Sequence, residues 1–208
     1  ISKKEGKTEN NEYDFIIIGA GVAGLAAGMY GGRLGLRSLV LGTSNSSELP
    51  IGGVITTTNI VENYPGFVKL TGTELADKIR DHALDYKDFV TIKEERVISV
   101  ENKEKFIVKT DKSEYFGKTI LFATGTKWKK LPEDVKGSRE FENRGIAYCA
   151  ICDGILFKNK TIAVVGGSDS AAKDAMLLTE YAKKVYIIYR GEQIHPEPVN
   201  MERVKRNK

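Results

Sequence analysis

Tyr13-Asp14-Phe15-Ile16-Ile17-Ile18-Gly19-Ala20-Gly21-Val22-Ala23-Gly24 is the stretch whose reading decides the fold. Its first half is a short continuous apolar run with β-branched residues, the pattern of a strand buried in a parallel sheet. Its second half is a G-x-G-x-x-G series, and Leu25 to Leu34 continues as a helix of small residues. A further run, Arg37 to Leu41, reads as the next strand. Strand, glycine series, helix and strand in that order form the βαβ unit that binds dinucleotides. Gly19 permits the sharp turn, Gly21 lets a pyrophosphate touch the backbone, and Gly24 lets helix and strand pack closely. The helix N-terminus then offers free N–H groups and partial positive charge to the phosphates. The competing reading is a glycine-rich helix that merely packs tightly. The acid that commonly holds the adenosine ribose about 20 residues on is absent. Thr43, Ser44 or Glu48 is left to supply that contact.

Ile51 to Gly66 is too polar and glycine-bearing for a regular element and reads as a loop. Thr71 to Asp85 carries Leu75, Ile79 and Leu84 on a helical stripe, with Thr71 or Thr73 as cap and His82 among solvated charges. Short alternating runs at Val90–Ile92, Arg96–Val100, Phe106–Thr110 and Ser113–Phe116 read as a small antiparallel meander. Lys118 to Ala123 reads as a separate buried strand ending in Thr124-Gly125. Lys160 to Val165 is a strand entering Gly166-Gly167-Ser168-Asp169-Ser170-Ala171, with a helix to Tyr181 and a strand at Lys184–Tyr189. These make a second βαβ unit. The expected fold class is therefore α/β, with two Rossmann-like βαβ domains and a small antiparallel meander in the first, both incomplete at the C-terminus. The expected layout is a polar, disordered tail over 1–12, a first dinucleotide domain over 13–126, and a second, dinucleotide-binding-like domain over 127–208.

At 208 residues the chain holds one large domain or two small ones. Its 21 glycines sit inside apolar segments, which points to tight turns and close backbone approaches rather than disorder. Most of the net charge of +4 collects at one end, where Arg203, Lys205, Arg206 and Lys208 face only Glu202. The tail opposes Lys3, Lys4 and Lys7 to Glu5, Glu9 and Glu12. No basic face interleaved with aromatics emerges, so no nucleic-acid partner is expected. The uncharged run Phe15–Gly32 approaches the length of a membrane span, but its glycines and missing aromatic anchors make it a buried strand and helix. No membrane segment is expected elsewhere.

Only two cysteines occur, in Tyr148-Cys149-Ala150-Ile151-Cys152-Asp153-Gly154, just ahead of the second unit. So few cysteines make no disulfide scaffold and point to a reducing cytoplasm rather than secretion. A C-x-x-C pair is a redox disulfide, half of a zinc site, or two inert buried thiols. Zinc takes about four ligands, and His82 and His195 lack the spacing of partners, so no metal is expected. A dithiol that opens and closes is the leading reading. Asp153, directly after the pair, reads either as an acid that shuttles the proton of each cleavage or as a helix cap. Two nucleotide-binding-like units flanking a dithiol favour electron transfer between two cofactors over one dehydrogenase site.

The ordered set of motifs resembles the low-molecular-weight thioredoxin reductases and their relatives. It comprises the Gly19–Gly24 series, Gly52-Gly53 with its threonine run and Glu62-Asn63-Tyr64-Pro65-Gly66, Ala123-Thr124-Gly125, the cysteine segment, and the Gly166–Ala171 series. The resemblance implies FAD in the first unit, held along Gly19, Gly21, Val22, Ala23 and Gly24 and along Ala123, Thr124 and Gly125. By the same likeness Gly52, Gly53 and Asn63 line the flavin side and Val97 touches adenine. The second unit takes NADPH or NADH at Gly166, Gly167, Ser168, Asp169, Ser170 and Arg190. The likeness further implies a homodimer in which the flavin reduces Cys152 and Cys149 attacks the disulfide of thioredoxin or a similar protein, with Asp153 as the acid. Departures are Ser168 at the second fingerprint glycine, and Tyr189-Arg190-Gly191 with His195 where the family has a richer basic cluster. Val54 and Asn59 also replace a usual glutamine and threonine. The family's return segment is missing after the second unit, and the expectation is a C-terminally truncated member. Other readings are a flavoprotein fed by ferredoxin or reduced deazaflavin, a redox sensor without NADPH turnover, and a single-cofactor dehydrogenase with incidental cysteines.

Overall fold

The computed structural model describes residues 11–43, 49–126, 129–142 and 144–207. The chain divides near residue 127 into two compact units. In the first, β1 (Glu12–Ile18) leads into α1 (Val22–Arg33) and β2 (Ser38–Gly42). These are followed by α2 (Gly72–Leu84), β3 (Val90–Glu94), β4 (Val97–Asn102), β5 (Phe106–Thr110) and β6 (Glu114–Phe122). One six-stranded sheet results, in the order β3-β2-β1-β6-β5-β4.

The apolar runs are buried on both faces because the sheet has two cores. Ile17, Val40 and Val90 pack with Leu25 and Ala83 under the helices. Ile16, Ile18, Leu39, Leu41, Val108 and Tyr115 form the core of the opposite face. The helix over 72–84 starts with a capping box: Thr71 Oγ1 accepts the Glu74 N–H at 3.1 Å, and Glu74 Oε2 accepts the Thr71 N–H at 2.7 Å. Thr71, not Thr73, is the cap.

Three expectations are corrected here. The Val90 run does not join the meander; β3 pairs in parallel with β2, Ser38 opposite Val90. The runs at 113–116 and 118–123 are one continuous strand, because Gly117 marks no turn. It sits against the side chain of Ile16, where a Cβ would meet Ile16 Cδ1 at 2.8 Å. Its first part pairs antiparallel with β5, and its length pairs parallel with β1. Finally, β1 begins within the supposed tail, with Glu12 opposite Phe116. Residues 1–10 of that tail lie outside the described residues, as do Ser44 and Glu48, two of the candidates for the ribose contact.

The second unit contains α3 (Ala150–Asp153), β7 (Thr161–Val165), α4 (Asp169–Leu178), β8 (Lys184–Ile188) and α5 (Pro198–Arg206). β7 and β8 pair in parallel across α4, Thr161 opposite Lys184. α4 ends three residues before the expected Tyr181. Sequence reading passed over α5, although Pro198 at its first turn and Arg203, Lys205 and Arg206 in its last are ordinary helix boundary signals. No helix among the described residues is long and apolar enough to cross a membrane.

Candidate functional site

In the first unit the glycine series forms a cradle. Gly19 has φ +116°, and its N–H donates to Leu41 O at 2.7 Å. A Cβ there would lie 2.1 Å from Ala123 O, so the end of β6 presses directly on the turn. Gly24 permits the other close approach: its Cβ would lie 1.8 Å from Gly19 O. Gly21 is the N-cap of α1 and has no side chain with which to cap it, and the first helical turn carries no acidic residue. A helix start of this kind suits an anion.

Tertiary structure brings the distant Gly52-Gly53 to the same place. Gly52 bridges to Gly21, and its N–H donates to Ala20 O at 2.7 Å. The threonine run closes the following 3-10 turn, with Thr56 Oγ1 donating to Gly53 O and Thr57 Oγ1 to Val54 O, both at 2.8 Å. Gly19, Gly21, Gly24, Gly52, Gly53 and Ala123 thus converge. Thr124 and Gly125 follow exposed at the end of β6, and Val22 and Ala23 form the helix's first turn. Asn63 and Val97 are not among the atoms crowding this turn. Asn63 is exposed, and Val97 packs against the core cluster of Tyr115. The bare backbone, uncapped helix and absence of first-turn acids fit a dinucleotide diphosphate.

Sequence reading missed Glu95. It is 8% exposed, its N–H donates to Gly42 O at 2.7 Å, and its carboxylate accepts from Thr110 Oγ1 at 2.6 Å and Tyr115 Oη at 2.8 Å. Burial pushes the Tyr115 phenol up, and the neighbouring carboxylate adds to the shift. Glu95 so ties the end of β2 to the meander. A second acid after Glu94 in a strand-ending run carries no local signal of burial.

The second unit repeats the plan with differences. Gly166 has φ +150°, and its N–H donates to Ile188 O at 2.9 Å. Ser168 is the N-cap of α4 but makes no side-chain capping bond, and Ser170 is exposed. The Tyr189 ring covers Gly167 and lies tilted against His195 with centroids 5.4 Å apart, and the His195 N–H donates to Gly167 O at 2.7 Å. Arg190 is exposed beside this clamp.

The Asp169 carboxylate is committed to α5. Oδ1 accepts the Glu197 N–H at 3.1 Å and Asn200 Nδ2 at 2.7 Å, while Lys173 lies 2.9 Å from Oδ2. Burial works against its charge, yet the Asn200 amide, the Lys173 ammonium and the Glu197 N–H together hold this carboxyl below its ordinary value. Asn200 is fully buried and accepts from Arg203 Nη1 at 3.1 Å. It too escaped sequence reading, because the helix bearing it did.

Cys149 and Cys152 form a disulfide with Cα atoms 5.3 Å apart. Cys149 is the N-cap of α3, and its Sγ accepts the Cys152 N–H at 3.2 Å. Cys149 is half-buried and Cys152 exposed. The segment is held at both ends. The Leu131 N–H donates to Tyr148 Oη at 3.0 Å upstream, and Gly154 is buried against Leu178 and Tyr181 downstream. Asp153 heads the 3-10 turn Gly154–Phe157 without a side-chain capping bond, so the cap reading fails. Its half-buried carboxylate has no hydrogen-bond or ion-pair partner among the described residues. The pair can open and close by thiol–disulfide exchange, with an uncommitted carboxylate one residue away.

A family model described as pyridine nucleotide-disulphide oxidoreductase matches residues 13–206. A thioredoxin reductase of Bacillus subtilis is 37% identical over 192 residues, covering 92% of this chain and 58% of the relative. One of Mycoplasma genitalium is 39% identical over 196 residues, covering 93% and 59%. Among solved structures, thioredoxin reductase of Lactococcus lactis matches with TM-score 0.87 at 33% identity, covering 94% of this chain and 62% of that one. That of T. acidophilum matches with TM-score 0.83 at 33% identity, with the same coverage. The chain thus spans 58% and 59% of the length of these two curated relatives.

Proposed function

We propose, because this chain belongs to the pyridine nucleotide-disulphide oxidoreductase family, that the protein passes electrons from NADPH or NADH through FAD to Cys149–Cys152 and on to thioredoxin or a similar protein disulfide. The observation that carries this reading is the Cys149–Cys152 disulfide, with the uncommitted Asp153 beside it, in a chain that also builds two βαβ units. The named relatives support thioredoxin as the partner. The family likeness supports a homodimer, and sparing cysteine usage supports the cytoplasm. Neither nucleic acid nor membrane enters the proposal.

Gly19, Gly21, Val22, Ala23, Gly24, Gly52, Gly53, Ala123, Thr124 and Gly125 would hold FAD in the first unit, with Asn63 and Val97 at its periphery. Gly166, Gly167, Ser170 and Arg190 would hold the nicotinamide dinucleotide in the second, Ser168 would line its diphosphate, and Asp169 would act there by fixing α5. When bound, a flavin supplies a two-electron carrier between a nicotinamide hydride and the disulfide. Reducing the partner then takes two electrons and two protons. The resemblance assigns the attack on the partner to Cys149 and the flavin side to Cys152, and we keep that assignment. The Cys149 thiolate attacks one partner sulfur, and the leaving sulfur takes a proton from Asp153. Cys152 then attacks the Cys149 sulfur, releases the second partner thiol and re-forms the internal disulfide. The Cys152 N–H at Cys149 Sγ favours the thiolate that the first step needs.

Anaerobic titration of the flavin-loaded protein with NADPH and NADH, followed by thioredoxin, tests the proposal. Flavin bleaching by one donor is expected, with turnover lost in both Cys149→Ser and Cys152→Ser. Turnover that survives either substitution would remove the dithiol from the mechanism. Absence of bleaching with both donors would leave the reading in which ferredoxin or another non-nicotinamide donor feeds the flavin, which Ser168 favours.

A further inference from the structure

The chain builds the same local construction twice, and the two copies differ at one side chain. The N-cap of α1 is Gly21 with φ −79° and ψ −176°, and that of α4 is Ser168 with φ −92° and ψ −175°. The backbones are nearly the same, so the Cβ and Oγ of Ser168 occupy the position left bare at Gly21. That position is open: a Cβ built on Gly21 meets nothing nearer than Gly52 O at 3.7 Å. Ser168 is exposed and spends its hydroxyl on no capping bond, so nothing in the fold of α4 requires it. The first helical turns differ as well. That of α1 carries no acid, whereas that of α4 carries Asp169, ionised and held toward α5 and Lys173.

We propose that Ser168 sets the affinity of the second unit for its nicotinamide dinucleotide, holding the diphosphate off the α4 N–H groups so that this unit binds loosely where the first binds tightly. The inference rests on the reading that the second unit takes that dinucleotide. Its direction follows from the space: with the Cβ in place the phosphate loses N–H bonds to a charged oxygen, which are stronger than bonds between neutral groups.

The test is calorimetric binding of NADH and NADPH to the protein and to Ser168→Gly and Ser168→Ala. Ser168→Gly is expected to tighten binding about tenfold, equivalent to about 1.4 kcal/mol, and Ser168→Ala to leave it within about twofold, since the Cβ remains. Exchange of Ser for Gly at an N-cap costs little stability, and the melting curve checks that the fold is retained. The reciprocal Gly21→Ser is expected to lower flavin affinity at least tenfold without unfolding, because its Cβ has room. Equal or weaker binding by Ser168→Gly, or weakening by Ser168→Ala, overturns the proposal while leaving the second unit a nicotinamide site. No binding by any form overturns both.

Discussion

Replacement of Gly24 by Ala asks whether the cradle of the first unit is set by packing. The added Cβ would lie 1.8 Å from Gly19 O and 3.3 Å from Ile17 Cγ2. The obstacle is backbone, not the end of a flexible side chain, so a rotamer change gives no relief. Reaching an ordinary carbon–oxygen contact of about 3.3 Å requires α1 to retreat by roughly 1.5 Å. Retreat is resisted because α1 is seated on the sheet at Gly28, where a Cβ would meet Val40 Cγ2 at 2.7 Å, and its Leu25 is fully buried. Overpacking of this kind costs about 1–3 kcal/mol, occasionally more. The better helix propensity of Ala returns at most about 1 kcal/mol. A net loss of roughly 1–2 kcal/mol is expected, which for a unit this size lowers the melting midpoint by roughly 4–10 °C. Thermal melting by circular dichroism, with flavin content measured on the same samples, reads both effects. The displaced N–H groups should also release the flavin. An unchanged midpoint with full flavin retention would refute the packing account of Gly24.

Further outcomes follow from other contacts. Tyr115→Phe removes a donor from the buried Glu95 carboxylate and should cost about 1.5–3 kcal/mol, read as a lower urea midpoint; no change would mean that Thr110 alone satisfies Glu95. Asp169 is held below its ordinary value when folded, so its contribution is fully present above the unfolded carboxyl value and is lost as pH falls through the folded one. Acid titration should therefore destabilise the second unit less steeply in Asp169→Asn than in the parent, and parallel curves would refute the coupling to α5. In Cys152→Ser the remaining Cys149 should accumulate a stable mixed disulfide with thioredoxin, detected by mass spectrometry, whereas in Cys149→Ser the remaining Cys152 should do so slowly. The reverse order would move the attack to Cys152.

What the sequence determined by itself is what consecutive residues encode. The run Phe15–Ile18, the glycine series and the small-residue helix specify strand, turn and helix through local sterics, and Thr71 with Glu74 specify a helix start through two short bonds. The C-x-x-C spacing placed two sulfurs within bonding reach around one turn of helix. The structure decided what depends on partners far along the chain. Val90–Glu94 is legible as a strand, but only packing against α1 and α2 makes it the parallel neighbour of β2 rather than a meander strand. Gly117 looks like a break and is instead the space into which Ile16 fits. Gly52 against Gly21, Glu95 between Thr110 and Tyr115, and Asn200 on Asp169 have no local signature. Each depends on burial and hydrogen-bond satisfaction between groups that become neighbours only once the sheet and its helices have assembled.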